Sequence, residues 1–290
     1  MTAAAIALVL AAAVLHATWN LLIKRAGGGS AFIWLALSLS AILYAPVAAI
    51  AVVLLRPHFG PIEITFMAGT ALLHLGYFIS LLRGYRAGDL SLVYPLARGT
   101  GPALATIAAI AFFGERPTPV ALLGAGLVVS GILAMTGGPN LFRFRQAPPA
   151  VRRAVGYALL TGLFTATYTL WDKQAVSTAR IPPLVLDWFA NLGRVIVLTP
   201  FALRRWNDVR HHWSGNRLEV FGVAVLSPLA YILVLTALVF TPVSYVAPAR
   251  EISILIGTGM GTRFLAEGEG RRRMVAAIAI VAGVLALALG

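Results

Sequence analysis

Residues 17–26 read ATWNLLIKRA, and residues 166–175 read ATYTLWDKQA, so the chain nearly repeats itself 149 positions later, from Ala17 to Ala166. Each copy ends an apolar stretch long enough to span a bilayer, which takes about 20 residues. About five such stretches lie in each half. Because five is an odd number, the second half must enter a membrane from the opposite face. Such an inverted repeat is typical of secondary transporters, whose binding site lies near the bilayer midplane between the halves.

The composition indicates a membrane protein. The 290 residues are 59% hydrophobic and 11% charged, and the mean hydropathy is +0.86. A soluble domain carries about 25% charged residues, and this chain has too few to cover a water-facing surface. The chain has no cysteine, which excludes disulfides, thiolate metal sites and a cysteine nucleophile.

Ten membrane spans are predicted. They are residues 2–23, 31–55, 62–82, 90–113, 119–137, 153–172, 183–203, 218–240, 245–265 and 272–289. We interpret the first as a retained helix, because the N-terminus lacks the positive segment of a signal peptide. The expected fold is all-α, with ten transmembrane helices as two inverted five-helix repeats around a central cavity. The repeats are expected at 1–140 and 153–290, joined by a linker at 141–152.

The distribution of basic residues predicts the orientation. Most of the 23 Lys and Arg residues lie in the connections that follow odd-numbered spans. The positive-inside rule places these connections in the cytoplasm and both termini on the opposite side. This pattern accounts for the net charge of +13 without a nucleic-acid partner. We expect a multi-pass protein of a bacterial inner membrane.

A second internal match lies in the later spans, at an offset of 152 from Arg98 to Arg250. The matched residues are Ala97–Arg98 with Ala249–Arg250, Phe112 with Phe264, Glu115 with Glu267 and Gly131 with Gly283. Because charged residues are scarce in this chain, two charged coincidences at one offset strengthen the internal duplication. The small residues Gly124, Gly131, Ala276 and Gly283 are predicted to pack helices closely and not to contact a ligand.

Residues 94–133, YPLARGTGPALATIAAIAFFGERPTPVALLGAGLVVSGIL, resemble the signature of the drug/metabolite transporter superfamily, in its ten-span EamA-like branch. The residues that carry the resemblance are Pro95, Gly114, Glu115, Pro117, Pro119, Gly124 and Gly131. The second half resembles the pattern more loosely and departs from it at Gly268, Gly270 and Ala276. The resemblance implies the inverted-repeat fold and export of amino acids or related metabolites. It leaves the substrate open, because the superfamily also carries sugars, nucleotide sugars and drugs.

Two arginines within predicted spans are candidate substrate ligands. Arg98 and Arg250 enter from opposite faces, and a guanidinium binds a carboxylate or phosphate in a bidentate manner. The alternative is that each side chain reaches the interface or bonds to helix-end carbonyls. Glu251, next to Arg250, is interpreted as a charge that offsets it.

The remaining candidates are histidines, aromatic residues and residues at span ends. His74 and His16 are candidates for proton relay; hydrogen-bonded packing is the alternative for both. Lys24 and Lys173 could gate the pathway or extend to the interface, and Asp172 is a candidate ion-pair partner of Lys173. The predicted substrate-binding residues are Trp19, Asn20, His74, Tyr77, Tyr94, Arg98, Tyr168, Trp171, Trp188, Tyr245 and Arg250. The predicted gating residues are Lys24, Lys173, Pro95 and Pro248.

The predicted function is a secondary transporter, an exporter or facilitator of small metabolites, most specifically amino acids including aromatic ones, by alternating access. The alternative is a lipid flippase or another lipid-handling membrane protein. Gly99-Thr100-Gly101 lacks the length and lysine of a P-loop, so ATP is not the expected energy source. No enzyme activity, catalytic residue, metal site, cofactor or nucleic-acid partner is expected. The partners are a small-molecule substrate and the bilayer, protons are left open, and a monomer is favoured.

Overall fold

A computed structural model of the chain describes residues 1–88, 90–136, 148–256 and 271–290. It omits the side chains of residues 90–92, 94, 95, 133, 135, 136, 271–274 and 277. All the regular structure in these ranges is helical. The helices are α1 (Ala3–Arg25), α2 (Ser30–Leu55), α3 (Pro61–Ala87), α4 (Leu90–Phe113), α5 (Pro119–Thr136), α6 (Pro149–Ser177), α7 (Pro183–Leu203), α8 (Trp206–Gly215), α9 (Arg217–Phe240), α10 (Val243–Ala249) and α11 (Arg271–Leu289).

Local sequence signals account for several helix boundaries. Thr2 caps α1 by accepting a hydrogen bond from the backbone N–H of Ala5 at 3.2 Å. Pro61 opens α3, and the Glu63 carboxylate accepts the N–H of Gly60 at 2.9 Å, which satisfies a donor that the helix leaves unpaired. Six of the described helices, counting residues 96–113 of α4, are long and apolar enough to cross a membrane. They are α1, α2, α3, α4, α7 and α9.

Counterpart helices of the two halves run in opposite directions where they meet. α2 packs on α7, its counterpart in the second half. In order along α2, the hydrogen-bonded pairs are Trp34 with Thr199, Leu37 with Asn191, and Ala41 with Trp188. Because the α7 numbers fall as the α2 numbers rise, the two helices are antiparallel. Two halves with opposite insertion require this relation.

α5 and α11 form the second counterpart contact, and glycines bring their backbones together. A Cβ at Gly124 would lie 2.6 Å from the carbonyl oxygen of Gly283, and a Cβ at Gly283 would lie 2.6 Å from that of Gly124. A Cβ at Gly131 would lie 2.9 Å from the carbonyl oxygen of Ala276. The prediction that these small residues pack helices is therefore confirmed.

Two further pairs of helix contacts are related by exchange of the halves. α3 packs on α6, and α1 packs on α9. If α1 and α3 are the counterparts of α6 and α9, each of these contacts is the image of the other. The contacts of α3 with α7 and of α9 with α2 are related in the same way. The bundle thus has an approximate two-fold relation between its halves.

Two predictions of helix extent need correction. The ninth span was expected as one helix over 245–265, but α10 ends at Ala249, a turn follows at Arg250 and Glu251, and helix resumes at 252–256. Residues 257–265 lie outside the described part of the chain. Residues 204–217 were expected as a polar connection but contain α8. Trp206, Val209 and Trp213 recur there at helical spacing, and Val209 is buried, so a short amphipathic helix covers the bundle end.

Candidate functional site

A small cavity lies between the two halves of the bundle. Its lining residues are Ala12, Ala13, His16, Arg98, Tyr168, Ala230, Tyr231, Val234, Arg250 and Ser253. They come from α1, α4, α6, α9 and the segment after α10. The cavity measures about 60 Å³, whereas small-molecule pockets measure roughly 300–1,000 Å³. This conformation has space for a few water molecules at the site.

The two predicted arginines meet at this cavity, one from each half, and a single carboxylate joins them. Nη2 of Arg98 lies 3.0 Å from Oε2 of Glu251, and Nε of Arg250 lies 3.3 Å from Oε1. Arg98 also donates to Oγ of Ser253 at 3.3 Å. Glu251 is 1% exposed. Two cations share one buried anion, so this triad carries one net positive charge.

Arg250 has unused hydrogen-bonding capacity at the cavity. Its Nη2 atom is buried and has no hydrogen-bond acceptor within the described ranges. Its guanidinium carbon lies 5.9 Å from the centre of the Tyr168 ring, within cation–π range. A buried donor without a partner costs about 1–3 kcal/mol, so an acceptor that entered the cavity would gain this interaction.

Aromatic rings form one side of the cavity in two layers. Tyr168 and Tyr231 line it, with ring centres 6.3 Å apart. Behind them, the His74 ring lies 4.2 Å from that of Tyr168, and the Tyr77 ring lies 5.9 Å from it. Trp171 is not among the lining residues, because its Nε1 donates to the Phe66 carbonyl at 2.9 Å on α3.

Asp172 is the centre of a buried hydrogen-bond cluster behind this wall. Its carboxylate accepts a hydrogen bond from Oγ1 of Thr70 at 2.5 Å and one from the Tyr231 hydroxyl, and it lies 3.2 Å from Nε2 of His74. The Asp172 side chain is 0% exposed. The cluster ties α3, α6 and α9 together beside the cavity.

The expected ion pair between Asp172 and Lys173 is wrong. The Lys173 ammonium donates instead to the carbonyl oxygens of Leu238 at 2.6 Å and Thr241 at 3.1 Å. Successive residues on a helix point in different directions and do not face each other. Lys173 therefore binds the C-terminal end of α9, while Asp172 points into the bundle.

Several predicted site residues lie away from the cavity wall. Trp188 donates to the Ala41 carbonyl at 2.9 Å in the contact of α7 with α2. The Tyr245 hydroxyl accepts the N–H of Thr118 at 3.3 Å, near the start of α5. Asn20 is exposed. Their roles in substrate binding stay predictions.

The other predicted residues lie on α1, α4 and α10. The Trp19 ring packs edge-on against His16 at 4.7 Å between ring centres. Lys24 is exposed at the end of α1. Pro248 is buried in α10, just before the turn at Arg250. Tyr94 and Pro95 belong to α4, but their side chains lie outside the described residues.

Glu115 has an architectural role at the start of α10. Its two carboxylate oxygens accept the backbone N–H groups of Val243 at 2.7 Å and Ser244 at 2.9 Å. These are the first two residues of α10, where a negative charge is favourable. The N-terminal half therefore caps the helix that leads to Arg250. Glu267, the matched residue, lies outside the described residues.

Two features of the site were not recognised in the sequence. Glu251 was interpreted as a neighbour of Arg250 alone, and the Asp172 cluster was missed. The one available signal was that ionisable residues inside a membrane are costly and are functional candidates by default. The second partner of Glu251, Arg98, and the partners of Asp172 lie on other helices, so sequence spacing does not reveal them.

The apolar helices and the buried charged site define an integral, multi-pass membrane protein. The chain belongs to the EamA-like transporter family, because a sequence model of that family matches residues 3–137 and 152–289. This confirms the resemblance found in residues 94–133. The family consists of membrane transporters of small molecules, a non-enzymatic class.

Comparison with solved structures supports the fold. One structure, described only as the crystal structure of a protein, superposes with a TM-score of 0.74. The alignment covers 100% of this chain and 98% of that chain at 16% sequence identity, a similarity that concerns the fold alone. A search of curated proteins finds no match.

Proposed function

We propose that this protein is a secondary transporter of amino acids, including aromatic ones, that works by alternating access. In this proposal ten spans form two inverted five-helix repeats in a bacterial inner membrane, with both termini on the non-cytoplasmic side. The protein acts as an exporter or facilitator. The family match favours small-molecule transport over the alternative of lipid handling.

The observation that carries the proposal is that Arg98 and Arg250, matched residues of the two halves, line one cavity. Glu251 occupies only part of their hydrogen-bonding capacity. An amino-acid carboxylate would bind the guanidinium groups, for which it is a bidentate partner. The ammonium group of the same amino acid would bind the Glu251 carboxylate. The Arg98–Glu251–Arg250 triad thus offers both charges that a zwitterion needs.

The apolar lining supports a substrate with a large side chain. Ala12, Ala13 and Ala230 border the cavity, and their small side chains leave space for a ring once the helices separate. Tyr168 and Tyr231 supply aromatic surfaces on the same side. Pockets of this kind combine apolar and aromatic walls with a few polar groups that orient the ligand.

The small size of the cavity and the interrupted helix support alternating access. A cavity of about 60 Å³ must enlarge to admit an amino acid. The backbone turns at Arg250 and Glu251, which are two of the three residues of the charged triad. Transporters often place such helix breaks at the substrate site, where one repeat moves against the other.

Counterflow in liposomes tests the proposal. Purified protein is reconstituted into vesicles loaded with unlabelled L-phenylalanine, and uptake of labelled L-phenylalanine is measured. The paired variant Arg250→Gln with Glu251→Gln retains the local charge balance and is expected to lower uptake at least about tenfold, because the charge-assisted contacts are lost. Arg98→Lys keeps the charge without the bidentate geometry and is expected to give intermediate uptake.

Arg116→Gln is the matched control, because Arg116 is exposed in the α4–α5 connection. It is expected to transport at the wild-type rate. Thermal unfolding of each variant verifies that it is folded. Folded wild-type protein that exchanges neither phenylalanine nor any other amino acid in a full panel would overturn the proposal.

A further inference from the structure

The Asp172 cluster lies behind the cavity wall, separated from the cavity by the side chain of Tyr231. Tyr231 lines the cavity and donates its hydroxyl hydrogen to Asp172. His74 contacts the same carboxylate and packs against the rings of Tyr168 and Tyr231, at 4.2 and 5.1 Å between ring centres. When the cavity opens and water reaches Tyr231, Asp172 and His74 become the next polar groups inward.

Among the described residues, His74 is the side chain able to carry a positive charge that lies within hydrogen-bond distance of the Asp172 carboxylate. An ionised carboxylate accepts hydrogen bonds only, so a hydrogen on Nε2 of His74 points at it. An isolated buried carboxylate costs several kcal/mol. One shared proton makes the pair neutral, whether the proton is on the imidazolium or on the carboxyl group.

The other charged groups around the pair are already engaged with each other. On α7, Nη2 of Arg194 lies 3.7 Å from Asp187. Arg250, from the segment after α10, is bound to Glu251. Arg194 and Arg250 act on His74 by long-range electrostatics and not by a hydrogen bond that the structure describes.

The remaining helices against the pair contribute their own groups. Lys173 on α6 is bound to the end of α9. On α9 and α6 the nearest titratable groups are the hydroxyls of Tyr231 and Tyr168, and α1 and α4 contribute His16 and Arg98 at the cavity. No second cation joins Asp172 within the ranges that the structure describes, so its neutralisation depends on a proton.

We propose that the His74–Asp172 pair is a proton-binding site that carries one proton in each transport cycle, so that substrate flux follows a pH gradient. This inference rests on the proposed transport function. The proton moves between water in the opened cavity and either Nε2 of His74 or the Asp172 carboxylate. No covalent bond of the substrate changes, and the proton gradient supplies the free energy.

The Tyr231 hydroxyl links this proton to helix movement. Its hydrogen bond joins α9 to α6, and hence the α1–α9 pair to the α3–α6 pair. A hydrogen bond to an ionised carboxylate is roughly twice as strong as a neutral one. A proton on Asp172 therefore weakens the link between the two helix pairs, and its departure strengthens that link.

Gradient-driven uptake of labelled L-phenylalanine is the first test. Vesicles with a pH difference, and with the voltage held at zero by potassium and valinomycin, are compared with vesicles without the difference. Wild-type protein is expected to accumulate phenylalanine above equilibrium for one sign of the gradient. That sign shows whether proton and substrate move together or in opposite directions. In Asp172→Asn, uptake is expected to be the same with and without the gradient.

Asp187→Asn combined with Arg194→Gln is the matched control, because it removes a second buried aspartate together with the arginine that pairs with it on α7. It is expected to retain the response to the gradient. Counterflow of phenylalanine without any response to pH in wild-type protein would overturn the proton site and leave the transport function standing. A response of Asp172→Asn to the gradient like that of wild type would also overturn the proton site and leave the transport function standing.

A substrate-free measurement separates failure of the proton site from failure of the transport function. The titration of the His74 ring is followed by nitrogen NMR in detergent micelles, with His74→Gln to assign the signal. Because coupled groups titrate as a unit, Asp172→Asn is expected to change the His74 midpoint. An unchanged midpoint would overturn the proposal, even where phenylalanine is transported.

Discussion

The contact of α3 with α6 and the contact of α1 with α9 occupy equivalent places in the two halves, yet their chemistry differs. The α3–α6 contact holds Thr70, His74 and Asp172. At the position 149 residues before Asp172 stands Ile23, which packs in an apolar cluster with Val220 and Val223. The duplicated fold therefore repeats the backbone, and the buried carboxylate belongs to one copy alone.

The packing of the two contacts is nevertheless alike. In α3, a Cβ at Gly69 would lie 2.5 Å from the Trp171 ring on α6. In α9, a Cβ at Gly222 would lie 2.5 Å from Cδ1 of Leu22 on α1. Trp171 follows Leu22 by the same 149 positions that relate the two halves. Each contact thus has a glycine against which a large side chain packs. The two contacts are alike in packing, but among the described residues only the α3–α6 contact holds a buried carboxylate.

The largest expected effect comes from placing a carboxylate in the apolar copy. Ile23→Asp puts an acid where no equivalents of Thr70 and His74 have been identified. Ile23 packs in an apolar cluster near the end of α1, where an unpaired acid is expected to lower the free energy of unfolding by about 3 kcal/mol and to reduce the recovery of folded protein. Thermal unfolding in detergent measures it. A variant as stable as wild type would show that the apolar copy tolerates the charge and would break the comparison.

A smaller effect is expected from replacing Gly69 and Gly222, the glycines of the two contacts, with valine. Gly69→Val should cost about 2 kcal/mol, because the Trp171 ring is held by its hydrogen bond to Phe66. Gly222→Val should cost about 1 kcal/mol, because the end of the Leu22 side chain can move. Chemical unfolding of both variants gives the difference. Equal losses would contradict it.

The smallest expected effect concerns a single donor in the polar copy. Thr70→Val removes the hydroxyl that donates to Asp172, with an expected loss of about 1.5 kcal/mol. Thr167→Val is the control, because Thr167 is exposed and bonds only to Leu163 of its own helix among the bonds described; we expect a change below about 0.5 kcal/mol. Thermal unfolding of the pair tests whether the polar copy depends on this carboxylate.

Much of the fold was predictable from local patterns. Apolar runs located the helices, because a helix that faces lipid must be apolar over its length. The repeat predicted counterpart helices in opposite directions, and Gly124 and Gly131 predicted close helix packing. That α11 is the partner of these glycines came from the structure. The helix break at Arg250 was not predicted, because Arg250 and Glu251 were interpreted as charges within one continuous span.

The candidate site was predictable only in part. Arg98 and Arg250 were found because a charge in an apolar span is rare, and both line the cavity. The partners of Asp172 were not found, since Thr70 and Tyr231 lie 102 and 59 positions away along the chain. Trp188, Tyr245 and Tyr168 are all aromatic residues in predicted spans, but Trp188 and Tyr245 make their hydrogen bonds away from the cavity.

The sequence by itself determined that this is a duplicated helical membrane protein, because hydropathy and internal repetition are properties of the chain that bilayer insertion reads directly. Only the tertiary structure decided which rare charges meet. It joined two arginines through Glu251 and enclosed Asp172 with donors from two other helices. The physical reason is that hydrogen bonds and ion pairs act over a few ångströms, and packing alone brings distant segments that close.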